Sequence, residues 1–133
     1  MEGRRPANHS VPPVIEAVHP VLPCREVAKS IAFYEALGFR SSWQDLPVDP
    51  KYGTIRRDAA ELHLQWADPS QWGHTGDRPV FRFLVRDLDA LFREFSARSE
   101  ITDIKPPFDS SWGTRELHVR DPDGNGLQFY WPR

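Results

Sequence analysis

Aromatic side chains give this chain its most evident binding chemistry. The 133-residue sequence contains five tryptophans, and Trp112 stands at the entrance to a predicted hairpin near the end of the chain. A planar ligand stacked between two aromatic rings gains about 0.5–1.5 kcal/mol per aromatic pair beyond the burial of its surface. Trp112 is therefore a candidate ligand contact, and Trp43 and Trp66 are candidate walls of a groove. For Trp66 and Trp131 we favour a place in the core.

Nucleophilic catalysis has one candidate, Cys24, the single cysteine of the chain. A catalytic thiol needs a neighbouring base, and the sequence around Cys24 offers no such signature. We therefore predict a buried, inert thiol. A P-loop, a dinucleotide-binding fingerprint and a zinc-finger spacing are also absent from the sequence. No catalytic residue is assigned on this basis.

Composition narrows the possible partners. Hydrophobic residues make up 39% and charged residues 27% of the sequence, as in ordinary globular proteins, and the net charge is -2. No basic run favours nucleic acid. No apolar stretch reaches the roughly 20 residues that span a bilayer, and no secretory signal is recognisable. With a single cysteine, these features lead us to expect a cytoplasmic protein that binds neither nucleic acid nor membrane.

The closing hairpin has the clearest local pattern. Leu117 and Val119 alternate with Glu116, His118 and Arg120, which is the period of a half-buried strand. Residues 121–125, Asp-Pro-Asp-Gly-Asn, then predict a turn in which the glycine or the following asparagine adopts positive φ. A return strand follows, with alternating apolar residues Leu127, Phe129 and Trp131.

The remaining elements are predicted from periodicity and breakers. Residues 1–12 are predicted to form a flexible tail. A strand over residues 14–22 leads to a helix with apolar positions Val27, Ile31, Tyr34 and Leu37, which Gly38 ends. Strands are predicted at 39–46, 53–57, 61–66 and 80–85, with a polar loop at 68–77. A second helix runs through Leu88, Leu91, Phe92 and Phe95, and a short strand is predicted near 101–105.

The order of elements repeats. Residues 25–27 precede the first helix as residues 86–88 precede the second, and residues 62–66 end the first half as residues 127–131 end the second. Each half is therefore a strand, a helix and about three strands. We predict an α+β domain over residues 13–133, built from two βαβββ modules at about 13–67 and 79–132. In each module a helix covers one face of a curved mixed sheet, and the other face lines a cavity.

A family resemblance rests on two segments together with this repeat. Residues 33–39, Phe-Tyr-Glu-Ala-Leu-Gly-Phe, and the turn at 121–125 resemble those of the glyoxalase, bleomycin-resistance and extradiol-dioxygenase superfamily, the vicinal oxygen chelate proteins. The resemblance spans about residues 14–131. It implies paired βαβββ modules, a homodimer, and cavities between modules. Because the superfamily contains both metalloenzymes and metal-free binding proteins, the resemblance leaves two functions open.

The enzyme alternative depends on divalent-metal ligands at the first and last strands of each module. The resemblance implies His19 on the first strand, Glu61 or His63 at the end of the first module, and Gln128 at the end of the second. Val80 and Phe81, at the start of the second module, cannot bind a metal. This set would serve a metal-dependent lyase, isomerase or dioxygenase acting on a small oxygenated substrate.

The binding-protein alternative is the one we favour, with no metal and no other cofactor. Residues 85–91 and the Trp112 region are similar to the bleomycin-resistance branch, which sequesters an aromatic, cationic antibiotic in a groove at the dimer interface. The matching aromatic positions are Tyr52 and Trp112. The predicted ligand-binding residues are Tyr52, Trp112, Trp43, Glu116 and His118. A net charge of -2 does not support a cationic drug, so a different planar or amphipathic small molecule stays open as the ligand.

Overall fold

The computed structural model of the protein describes residues 12–72 and 78–133. The first half contains β1 (Val21–Cys24), α1 (Val27–Ala36), β2 (Arg40–Gln44), β3 (Tyr52–Arg57) and β4 (Ala60–Trp66). A short 3-10 helix follows at Pro69–Trp72. The second half contains β5 (Val80–Leu84), α2 (Leu88–Ser96), β6 (Phe108–Asp109), β7 (Thr114–Arg120) and β8 (Gly126–Pro132). None of the helices in these two ranges is long and apolar enough to cross a membrane.

The two halves form sheets of the same topology, which confirms the predicted α+β fold. The strand order is β1-β4-β3-β2 in the first sheet and β5-β8-β7-β6 in the second. In each sheet the first strand pairs in parallel with the last, and the other pairs are antiparallel. A parallel pair needs a crossover connection, and α1 and α2 begin those crossovers. The repeat predicted from the order of elements is therefore a repeat of topology.

Each helix covers one face of its own sheet, as the alternation predicts. Leu22, Ile55 and Leu64 are buried beneath α1, while Leu117, Leu127 and Phe129 are buried with α2. Neighbouring residues along each strand point to the opposite face, which no helix covers. We call the uncovered faces the first and second open faces. They hold the polar and aromatic residues described below.

The first strand is shorter and later than predicted. Residues 14–20 form no strand, and Val14 is 92% exposed, with Ile15 and Val18 similarly bare. The parallel register with β4 begins at Val21 opposite His63, and Pro20 has no N–H with which to extend the ladder. The apolar residues of this segment have no strand pairing within the described residues. His19, predicted on the first strand, precedes it.

The short strand expected near residues 101–105 is also absent. Ile104 makes only an isolated bridge to Val119, and the strand of this region is β6, whose residues pair with β7. Pro106 and Pro107 lie between the bridge and β6. Because neither proline can donate a backbone hydrogen bond, they interrupt the pairing.

The turn of the closing hairpin has the predicted conformation, and Gly124 carries its positive φ of 84°. Its side chains reach the other half of the chain. Asp123 accepts hydrogen bonds from the backbone N–H of Arg25 and the hydroxyl of Ser30. Asp121 Oδ2 accepts one from the Tyr34 hydroxyl at 2.7 Å. The turn therefore joins the second sheet to the start and middle of α1.

The predicted tail, residues 1–12, lies outside the described residues except for Pro12, as do residues 73–77 of the predicted polar loop. The helix stop at Gly38 is confirmed, with φ at 88°. This conformation favours glycine because other residues place a Cβ against the backbone there.

Candidate functional site

The first open face carries an aromatic pair. Trp43, Thr54, His63 and Val21 stand opposite one another on successive strands and so share this face. Trp43 is 55% exposed. Its ring centroid lies 6.4 Å from that of Tyr52. Two of the predicted ligand residues, Trp43 and Tyr52, are thus neighbours on one surface.

A hydrogen-bonded chain of polar groups runs beside this pair. The Tyr52 hydroxyl lies 2.7 Å from His63 Nδ1, and His63 Nε2 lies 2.9 Å from Glu61 Oε2. Because a carboxylate can only accept, Nε2 carries the hydrogen, and a neutral imidazole then accepts from Tyr52 at Nδ1. His19 Nδ1 approaches the same Glu61 oxygen at 3.4 Å. The chain orients His63 and Tyr52 relative to each other.

Glu61 is an anion over the whole physiological range. Hydrogen bonds from Arg56, at 2.6 Å, and from His63 lower the pKa of its carboxyl group to about 2. Arg56 stands directly opposite Glu61 in the sheet. The sequence places Glu61 and His63 on one strand face, and the structure confirms that placement.

Three of the four predicted metal donors come together. The ligating atoms of His19, Glu61 and His63 all lie within 4.8 Å of one another. Two donor atoms that each lie about 2.0–2.2 Å from one divalent ion are at most about 4.4 Å apart, so this set would fit such an ion once the side chains move closer together. Gln128 does not join it. It lies on β8 in the second sheet, so one chain divides the predicted set of four between two sheets.

The second open face holds the other predicted ligand residues. Arg82, Gln128 and His118 stand opposite one another on β5, β8 and β7, and Glu116 is two residues from His118 on the same face. Trp112, just before β7, is 65% exposed. Its indole N–H donates to Glu116 Oε2 at 3.0 Å. The five predicted residues therefore form two clusters, one on each sheet.

Glu116 is the centre of the second cluster and is fully buried. Its carboxylate accepts from both terminal nitrogens of Arg82, from Trp112, from Thr114 and from His118. Burial by itself would raise the pKa of Glu116, but these hydrogen bonds lower it to about 2. A buried carboxylate bonded in this way is a fixed structural anion.

Arg82 and Phe108 belong to this cluster but are not predicted from the sequence. Arg82 Nη1 also donates to Gln128 Oε1 at 2.8 Å, and its guanidinium lies 4.1 Å above the Tyr130 ring. The Phe108 ring meets the His118 ring edge-on at 5.1 Å. The signal for Arg82 was a lone basic residue in an apolar strand, Val-Phe-Arg-Phe-Leu, at a position opposite Gln128.

Two further expectations concern tryptophan and cysteine. Trp66 is not a core residue: it lies at the end of β4, partly exposed, with Lys51 Nζ 4.8 Å from its ring centroid. Trp131 is half-buried and packs against the core. Cys24 is buried, and burial raises the pKa of its thiol to about 12, as expected for an inert side chain.

Two four-stranded sheets, each with a helix on one face and an open face of aromatic and polar side chains, define a class of small α+β proteins built from paired βαβββ modules. Residues 16–129 match the family model of the Glyoxalase/Bleomycin resistance protein/Dioxygenase superfamily. The match covers most of the sequence, and the chain belongs to this superfamily.

The chain is similar to an uncharacterized protein, to a glyoxalase-related enzyme and to a bleomycin-binding protein. An uncharacterized protein of Mycolicibacterium smegmatis is 32% identical over 84% of this chain and 90% of its own length. A glyoxalase-related enzyme from Clostridium phytofermentans is 20% identical, with a TM-score of 0.72 over 90% of this chain and 97% of that one. A bleomycin-binding protein from Streptomyces verticillus, solved with copper(II)-bleomycin, is 25% identical, with a TM-score of 0.68 over 87% and 97%.

Proposed function

We propose that this protein binds a small aromatic molecule in a groove between the first open face of one subunit and the second open face of another, without a metal or other cofactor. The observation that carries the proposal is Trp112. Its indole N–H is held by Glu116, yet the residue is 65% exposed. An exposed ring that is held in place by a hydrogen bond is preorganised to stack on a planar ligand.

The open faces also support a groove between two copies of the chain. Trp43, Leu84 and Phe108 lie on these faces with large parts of their side chains exposed. Exposed apolar surface of this kind is typical of sites that bind a partner protein or a ligand. The Streptomyces verticillus protein of the same fold binds bleomycin, so a drug-binding role is the first to examine. Sequestration of an antibiotic would follow from such binding without any catalytic residue.

Calorimetric titration tests the proposal. The probes are metal-free bleomycin and naphthylmethanol, a neutral planar compound. We expect at least one to bind to the wild-type protein, Trp112→Ala to weaken that binding about tenfold, and Trp112→Phe to retain most of it. Trp66→Ala is the matched control, because Lys51 covers part of that ring. If neither probe binds, or if Trp112→Ala leaves the affinity of the bound probe unchanged, the proposal is wrong.

Metal-dependent catalysis is the second candidate, and the His19, Glu61 and His63 cluster is the observation in its favour. A divalent ion held there would act as a Lewis acid toward a substrate oxygen. Tyr52 would orient His63 through its Nδ1. Against this role, Arg56 already neutralises Glu61 at 2.6 Å. Cobalt(II) titration, followed by visible absorption, distinguishes the two. Stoichiometric binding that His63→Ala abolishes would favour the enzyme.

A further inference from the structure

The carboxylates on the two open faces are already occupied by the protein's own donors. Glu116 accepts hydrogen bonds from Arg82, Trp112, Thr114 and His118, described above, and has no exposed surface. On the other sheet Glu61 is bonded by Arg56 and His63. A carboxylate saturated in this way offers little to a cationic ligand, because the ligand would have to displace an internal partner.

Arg82 remains available as a donor on the second open face. The side chains of Arg82 and His118 are 39% and 40% exposed, but the Nε2–H of His118 already bonds to Glu116. A guanidinium has five N–H groups. The N–H groups of Arg82 that donate to Glu116 and Gln128 belong to Nη1 and Nη2. Within the described residues its Nε–H makes no hydrogen bond, and with the second N–H of Nη2 it forms one free edge of the planar group.

The first open face also carries guanidinium donors. Arg40 stands directly opposite Arg56, so two guanidinium groups share this surface with the single carboxylate of Glu61 on the neighbouring strand. The whole chain carries a net charge of -2, whereas Arg40, Arg56 and Glu61 together give the first open face a net positive charge. On the second open face the charges of Arg82 and Glu116 cancel, so an anion there gains from the free N–H groups of Arg82 and from the positive face across the proposed groove.

We propose that the natural ligand is an acidic aromatic molecule, whose carboxylate binds the free edge of Arg82 beside His118 while its ring packs on Trp112. The inference rests on the proposed function and specifies its ligand. Arginine binds a carboxylate through two parallel hydrogen bonds, a geometry that an ammonium or a neutral alcohol cannot reproduce. Stacking of the same guanidinium on Tyr130 fixes its plane. A cationic drug of the bleomycin type would be a poorer ligand.

Three probes with one ring system isolate the charge. Naphthoate, naphthylmethanol and naphthylmethylammonium are titrated calorimetrically into the intact wild-type protein. We expect naphthoate to bind at least about tenfold more tightly than the ammonium compound, with the alcohol between them. Arg82→Met should remove this preference and weaken naphthoate about tenfold. It should leave the alcohol within roughly twofold.

Two further variants control for folding and for general charge. Arg82→Met leaves Glu116 buried without its main partner, so the double variant Arg82→Met/Glu116→Gln provides a neutral cluster that can fold. It should lose the preference for naphthoate as well. Arg93→Met removes an exposed positive charge from α2, away from the open faces, and should leave all three affinities unchanged.

Each outcome separates the ligand class from the binding function. If the ammonium compound binds as tightly as naphthoate, or if the double variant keeps the preference for naphthoate, the acidic ligand is ruled out. Binding of the alcohol that depends on Trp112 would then still support an aromatic site. If none of the three probes binds, the acidic aromatic ligand is ruled out, and the proposed function is then decided by the bleomycin titration.

Discussion

Tyr34 and Asp121 join the two halves of the chain. The Tyr34 hydroxyl, on α1 of the first half, donates to Asp121 Oδ2, in the hairpin turn of the second, at 2.7 Å. Both side chains are buried. Burial raises the pKa of Asp121, and burial, followed by the neighbouring Asp121 carboxylate, raises the pKa of Tyr34. This hydrogen bond therefore lies where an unpaired polar group would be costly.

Removing the Tyr34 hydroxyl should weaken the join between the halves. Tyr34→Phe leaves Asp121 with one hydrogen-bond donor fewer in a buried site, so we expect the free energy of unfolding to fall by about 1–3 kcal/mol. Urea denaturation measures this change. Tyr130→Phe is the matched control, since the Tyr130 hydroxyl has no hydrogen-bond partner in residues 12–72 and 78–133. Equal stability of the two variants would show that the hydroxyl of Tyr34 contributes nothing.

Asp123 should stabilise α1 from outside the helix. The helix has no side-chain cap of its own at Glu26, and Asp123 accepts instead from the Arg25 N–H at 3.0 Å and from Ser30 Oγ at 3.2 Å. An anion here also complements the positive end of the helix dipole. We expect Asp123→Ala to cost about 1–2 kcal/mol, as the loss of a helix cap does.

Asp123→Asn separates hydrogen bonding from charge. The amide keeps an acceptor oxygen but loses the negative charge, so it should recover part of the stability measured by urea denaturation. The deficit that remains should shrink as salt is added, because the interaction with the helix end is screened. A full loss in Asp123→Asn, insensitive to salt, would contradict the electrostatic part of this account.

Glu116 should make the protein sensitive to acid. Hydrogen bonds from Arg82, Thr114, His118 and Trp112 outweigh burial and lower the pKa of this carboxyl group from 4.5 to about 2. A carboxyl group with a lowered pKa in the folded state stabilises the protein fully above pH 4.5 and loses that contribution as the pH falls toward 2. Stability should therefore decline in this window.

Glu116→Gln tests the origin of that decline. The variant should be less stable than the wild type by about 1–3 kcal/mol near pH 7, because a charged acceptor is lost. The two proteins should converge as the pH is lowered, since Asp121 and the other acidic groups are common to both. Urea denaturation at a series of pH values measures the difference. A constant difference down to the lowest pH would mean that Glu116 does not titrate as stated.

Local sequence pattern accounts for most of the fold. Alternation placed Leu62 and Leu64 inside and His63 outside, and the turn at 121–125 needed a residue with positive φ, which Gly124 supplies. The prediction was wrong at residues 14–20, where Val14, Ile15 and Val18 are apolar as in a strand. A strand also needs a neighbour, and the pairing with β4 begins only at Val21.

The candidate site could be predicted from the sequence less completely than the fold, because it depends on the register between strands that are distant in the sequence. Glu116 and His118 are two residues apart, and their shared face could be predicted. Arg82 meets them across β8 only because β5 pairs in parallel with that strand. Tyr52 and Trp112, which match one family groove, lie in different modules of one chain, Tyr52 on β3 and Trp112 just before β7.

Chelation separates the favoured function from its alternative. His19, Glu61, His63 and Arg56 are linked to one another by hydrogen bonds and ion pairs, and the function that we propose uses no ion at this cluster. We expect protein dialysed against a chelator to bind the better probe with an affinity within roughly twofold of untreated protein. His63 lies beside Tyr52 on the first open face, so His63→Ala is compared with itself, and chelation should leave the affinity of this variant unchanged as well. A metal-dependent site would instead be established by a large loss of affinity when the wild-type protein is chelated. One equivalent of a divalent metal should then restore that affinity, and His63→Ala should show no such loss.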